Sequence, residues 1–188
     1  LLSDITHGFA ERVVGPVNPV MEKLYNSEIE LYDYNVERAK ELLAEAGWTD
    51  SDGNGILDKT INGRRTELNI NFLYNTGHQE REKIGLMLKE AARPAGVNIE
   101  LRNIDGQVFL KQLRQHDFEM YYNAWMAEPA PEDYTQIWYT SSAHGGSNYV
   151  YFGTAETDAL IDRINRTIDE GERYRVNDIA ISSALRHF

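Results

Sequence analysis

The feature that most constrains this chain is a change of hydrophobic period that recurs between residues 66 and 126. In "TELNINFLY" the pattern alternates. Leu68, Ile70, Phe72 and Tyr74 fall on one side, and Glu67, Asn69 and Asn71 on the other, which is the period of a strand with one buried face. Over 77–92 the spacing becomes helical through Ile84, Met87, Leu88 and Ala91, and Pro94 and Gly96 stop it. "VNIELRNI" alternates again through Val97, Ile99 and Leu101. "QVFLKQLRQ" is a short helix with Phe109, Leu110 and Leu113 as its apolar face. "DFEMYYNAW" is a third strand, with Phe118, Met120, Tyr122 and Ala124 on one face. The order β-α-β-α-β predicts an open, mostly parallel α/β sheet with flanking crossover helices. Ligands of such sheets bind beyond the carboxyl ends of the strands. A site is therefore expected at 125–134, just after the third strand.

The flanking segments are simpler. Residues 1–34 read as a connector, because Pro16 and Pro19 keep "VVGPVNPV" out of helix. Asn35 is an N-cap for a helix over 36–46, whose apolar face is Val36, Ala39, Leu43 and Ala46 and whose end is marked by Gly47. The tail is helical over 155–168, with Leu160, Ile161 and Ile164 inward, and again over 171–186. The expected division is a connector over 1–34, an α/β lobe over 35–153 and a helical return segment over 154–188. The chain opens without an initiator Met and closes inside the helical pattern "ISSALRHF". It reads as an excised piece of a longer protein.

Charge narrows the partners. Nineteen basic and 30 acidic side chains leave a formal net charge of −11, a field that repels nucleic acid and anionic lipid. With no cysteine, disulfides, thiolate metal sites and cysteine catalysis are excluded. No apolar run approaches the length of a membrane span, so no direct membrane insertion is expected.

Two stretches invite a chemical reading. In "WTDSDGNGILDK", Asp50, Asp52, Asn54, Gly55 and Asp58 occupy the first, third, fifth, sixth and ninth positions of a calcium loop. Ile61 stands where the bidentate Glu belongs, a strand follows, and Lys59 opposes a cation. The preferred reading is a tight surface hairpin, with Asp52-Gly53 and Asn54-Gly55 supplying positive-φ positions. In "AWMAEPAPEDYTQIWY", Trp125, Glu128, Tyr134, Trp138 and Tyr139 stand beside two prolines. This is either an aromatic-walled pocket with a carboxylate for a cationic group, or a stiffened loop with its aromatics in the core. Glu132 and Asp133 read as first-turn residues favouring a helix dipole. Gly145-Gly146 reads as a flexible loop. The histidines, His7, His78, His116, His144 and His187, lack HExxH spacing. There is no phosphate loop, dinucleotide fingerprint or G-x-S-x-G elbow. No metal, cofactor or catalytic residue is expected. An α/β hydrolytic or other enzyme without a recognisable motif is the alternative.

Taken together, "YNVERAKELLAEAGWTDSDGNGILDK", "LNINFLYNTGHQEREKIGLMLKEAARPAGVNIELRNID", "FEMYYNAWMAEPAPEDYTQIWYTS" and "NYVYFGTAETDALID" resemble the extracellular solute-binding proteins of family 5. These are the oligopeptide and dipeptide binders that feed ABC transporters. The resemblance implies a type II periplasmic-binding-protein-like fold of two lobes around a cleft, with this chain supplying most of the second lobe. It implies capture of a small solute, most often an oligopeptide or dipeptide, and delivery to an inner-membrane ABC permease. It also implies a periplasmic or extracellular location, with or without a lipid anchor, and no catalysis. The ligand-binding set it implies is Trp125, Glu128, Tyr122 and Asn123. Many peptide-binding members carry W-x-x-D after a central strand, where the Asp binds the peptide amine. Here Trp125 is followed by Glu128, one methylene longer, which moves the carboxylate on the order of an ångström. Tyr122 stands where some members place a basic residue for a ligand carboxylate.

Overall fold

The computed structural model describes residues 10–13, 17–22, 25–26, 29, 32–126, 133–169 and 171–176. The chain divides into two compact units, one built on 32–112 and 117–123, the other on 11–31, 113–116 and 124–188.

The first unit begins with helix α1, Val36–Glu45. The Asn35 side chain accepts from the Arg38 amide at 2.9 Å, which satisfies one of the free N–H groups of the first turn. Its apolar stripe is only half-buried and Leu42 is 49% exposed. At its far end, Lys59 Nζ donates to the Ala46 carbonyl at 2.6 Å, a cation on the negative end of the helix.

Strands β1, Asp58–Ile61, and β2, Arg64–Glu67, form an antiparallel hairpin in which Ile61 pairs with Arg64. Its two-residue turn is Asn62-Gly63, with φ of 53° and 76°, the primed turn that suits strand twist. The hairpin is thus not at the Asp-Gly run. The run is a loop closed at its base by an isolated Thr49–Asp58 bridge. The alternation starting at Thr66 spans two elements, because Thr66 and Glu67 pair with β1 while β3, Asn69–Asn75, belongs to another sheet.

That second sheet has the order β4-β3-β5 and is parallel throughout, as the alternating periods predict. Helix α2, Gln79–Ala92, leads from β3 to β4, Asn98–Ile104. Helix α3, Gly106–Arg114, leads on towards β5, Met120–Tyr121. The third strand is much shorter than expected. Pairing covers Phe72–Met120 and Leu73–Tyr121, and the Tyr122 amide adds one bond to Leu73 O at 2.9 Å. Phe118 leaves the face of Met120 and packs edge-on against Tyr121, with centroids 4.7 Å apart.

One sheet face carries the core: Phe72, Tyr74 and Ile99 are at most 4% exposed, with Ile84, Ala92, Val97, Leu101, Met120 and Tyr122 packed around them. Helix α2 reaches this layer at Gly85, its sole buried residue, where a Cβ would stand 2.9 Å from a Phe72 ring carbon. Leu88, expected to face inward, is 39% exposed. On the other face, Phe109 of α3 meets Tyr121 edge-on at 6.4 Å.

In the second unit, α4 is Thr135–Trp138, a 3-10 turn follows over Thr140–His144, and α5 is Ala155–Arg166. Thr154 and Thr157 form a reciprocal capping box. Ile161 and Ile164 are buried as expected and Leu160 is half-buried. Residues 171–176 are helical; the remainder of the expected 171–186 helix lies outside the described residues. Asn148, 1% exposed, donates to Tyr139 O at 3.0 Å and Phe152 O at 2.8 Å and accepts from Phe152 N at 2.8 Å. Gly146 is not in a loose loop. A Cβ there would sit 2.7 Å from Ser142 Cβ and 2.9 Å from Gln136 O.

Candidate functional site

The strand order sets where a ligand can enter. From central β3 the chain crosses to β4 on one side and then to β5 on the other. Ligands of parallel sheets of this kind bind beyond the carboxyl ends of the strands. The groups gathered there in the first unit come from three elements. Tyr122 and Asn123, directly after β5, are half-buried. Arg81, in the first turn of α2, lays its guanidinium 5.7 Å from the centre of the Tyr122 ring, within range of a cation–π contact. Tyr74, near the end of β3, is 3% exposed. Burial pushes its phenol above the usual range, with the nearby Glu82 charge adding to the rise. Beside it the Asn75 Oδ1 is buried without a hydrogen-bond partner.

Tyr122 therefore does two things: it packs against the core cluster and carries a cation on its ring. Arg81 was not among the residues singled out from sequence. The available signal was its place in the first turn of the helix after the first strand of the parallel sheet, a turn that such topology sets at the strands' carboxyl ends. In the second unit Trp125 is 50% exposed and Met126 97%. Glu128 and the rest of 127–132 lie outside the described residues. Asp133, read as a first-turn acid, accepts from the Thr135 amide at 2.9 Å and from Asn165 Nδ2 at 3.1 Å. Hydrogen bonds from Thr135 hold its carboxyl below the usual carboxylate range.

The acidic loop has a different electrostatic design. Asp50 accepts from the amides of Gly53, Asn54 and Gly55 at 2.8, 3.1 and 2.9 Å. Gly53 and Gly55 take φ of 75° and 87° to present those amides. Carboxylate oxygens of Asp50, Asp52 and Asp58 lie within 4.8 Å of one another. The cation among them is Arg65 of β2, whose Nη2 is 2.6 Å from Asp52 and 3.0 Å from Asp58. Asp58, 4% exposed, also accepts from Ser51 N and Oγ. Arg65 is the largest cause that holds both aspartates below the usual range, and the two carboxylates raise the guanidinium in return.

Comparison with known proteins agrees with this architecture. The family model described as "Bacterial extracellular solute-binding proteins, family 5 Middle" matches residues 1–147. The chain is 28% identical over 178 residues to the oligopeptide-binding protein AppA of Bacillus subtilis, covering 93% of this chain and 32% of that protein. It is 27% identical over 185 residues to the nickel-binding protein NikA of Staphylococcus aureus, covering 97% and 34%. The chain thus spans about a third of the length of these relatives. The solved structure of AppA from Bacillus subtilis in complex with a nonapeptide superposes with a TM-score of 0.82 at 27% identity, over 97% of this chain and 36% of that one. With its parallel sheet and flanking helices, the chain belongs to the bacterial extracellular solute-binding proteins of family 5.

Proposed function

We propose that this chain supplies one wall of a cleft that captures a peptide and delivers it to an inner-membrane ABC permease, outside the cytoplasm. The observation that carries the peptide reading is the likeness to AppA, which extends over 97% of the chain to a structure holding a nonapeptide. Trp125 offers a polarisable apolar wall. Glu128 has the charge to pair with an amine of the solute, and in the first unit Tyr122 and Asn123 supply polar groups after β5, with Arg81 over the Tyr122 ring. The chain acts by binding, not catalysis. Among the described residues no helix is long and apolar enough to cross a membrane.

A second reading follows from the similarity to the nickel-binding NikA: the solute is a metal chelate whose organic ligands meet the same wall. Mass spectrometry of molecules that co-purify with the protein as its gene encodes it separates the two. Peptides released on denaturation support the first reading. Nickel with small chelators, and no peptide, overturns it in favour of the second.

A further inference from the structure

His116 closes the turn after α3 with φ of 54°. Its ring nitrogens face two backbone carbonyls of the second unit. Nδ1 is 2.7 Å from Tyr149 O, and Nε2 is 3.0 Å from Ala143 O. Carbonyl oxygens only accept. A neutral imidazole has one N–H and one lone pair, so either tautomer sets a lone pair against an oxygen; only the imidazolium donates to both. Ala143 and Tyr149 are both buried residues, at 9% and 6% exposure, where an unmatched carbonyl is poorly compensated by water. The ring also stacks on Tyr151, with centroids 3.9 Å apart and planes 24° apart, and a tyrosine face attracts a cation. Tyr151 itself holds φ of 54°.

The titratable residues the ring meets are Tyr149, through its carbonyl, and Tyr151, through its ring; His144 in turn meets Tyr151 edge-on at 6.2 Å. Arg114 and Asp117 flank the turn in sequence. Among the described residues no carboxylate forms an ion pair with the His116 ring.

We infer that His116 is a proton-dependent latch. Charged, it ties the 143–151 segment to the turn after α3 through both carbonyls; on losing its proton it releases one of them and the segment loosens. The sign is fixed by the donor count: the latch is closed while both ring nitrogens carry protons and open once one is lost.

The test is amide exchange of 143–151 on the whole chain, corrected for the intrinsic base-catalysed rise, together with nitrogen-15 spectra of the imidazole. Between about pH 5.5 and about pH 8.5, loss of one hydrogen bond should lower protection of 143–151 by roughly five- to tenfold. At the acid end both ring nitrogens should carry protons. His116→Asn tolerates positive φ and does not titrate, so its protection should not follow pH. A single ring N–H at the acid end, flat protection in the wild type, or the same pH dependence in His116→Asn would each overturn the latch. If His116→Asn fails to fold, the wild-type ring spectrum and exchange decide.

Discussion

Gly85→Ala tests how closely α2 lies on the sheet. In an ordinary helix interior the change should stabilise by about 0.8–1.0 kcal/mol, since glycine is a poor helix former. Here the added methyl would lie 2.9 and 3.0 Å from Phe72 ring carbons and 3.1 Å from Leu101 Cδ2. Leu101 Cδ2 is the tip of a flexible side chain and can yield. Phe72 is 2% exposed and tilted against Tyr74 at 5.9 Å, so its ring can move only by displacing the core. Overpacking of this kind costs about 1–3 kcal/mol. The net expectation is a loss of about 1 kcal/mol, which lowers the urea midpoint by roughly 0.3–1 M. Amide exchange of β3 and β4 gives a local reading. Phe72→Leu removes the ring edge, and in that background Gly85→Ala should become neutral or stabilising, a coupling that a double-mutant cycle isolates. If Gly85→Ala alone raises the midpoint, α2 does not approach Phe72 as described.

Other perturbations probe the loops and the site. Asn148→Ala strands two carbonyls and an amide and should cost at least about 3 kcal/mol, at about 1–3 kcal/mol per unsatisfied group; a cost under about 1 kcal/mol would refute that network. Gly63→Ala meets no atom within 4 Å, so its cost is the positive φ alone, about 1–2 kcal/mol, read as faster exchange in β1 and β2. Asp52 and Asp58 are held below the usual carboxylate range, chiefly by Arg65. Their contribution is complete above the ordinary carboxylate pKa of about 3.9 and is lost as pH falls through their depressed values; in Arg65→Gln, loosening of the 49–58 loop should begin at higher pH. Millimolar calcium should leave the wild-type melting temperature unchanged, and a rise abolished by Asp52→Ala would show that calcium displaces Arg65.

The parallel sheet was legible because period alone separates strand from helix, and two crossovers leave few topologies. The hairpin was not. Asn62-Gly63 is a strong turn signal, but the denser Asp/Gly run just before it drew the turn assignment, and continuous alternation from Glu67 to Tyr74 hid the change of sheet at Leu68. The third strand was overread for a related reason. Alternation reports which side chains could share a face; pairing also needs a neighbour, and β3 pairs with β5 at Phe72 and Leu73, whose carbonyl also accepts from the Tyr122 amide. Gly85 was invisible as a packing residue because a glycine adds nothing to an apolar stripe. Only the distance to Phe72 makes it the point of contact.

Side-chain chemistry was less legible than topology because it depends on what arrives from elsewhere in the chain. Asp50, Asp52 and Asp58 have the spacing of a cation site whether or not a cation is needed. What changes the reading is Arg65, brought by a hairpin turn into the space a metal would use. The same holds at the strand ends, where the Arg81 guanidinium arrives from α2 over the ring of Tyr122, which follows β5. His116 is the extreme case. As a lone histidine it carries no motif, and only the placement of two carbonyls against its two nitrogens makes its protonation state a structural variable. In each case the sequence supplies a group of known chemistry, and the fold decides which charge or dipole that group must answer.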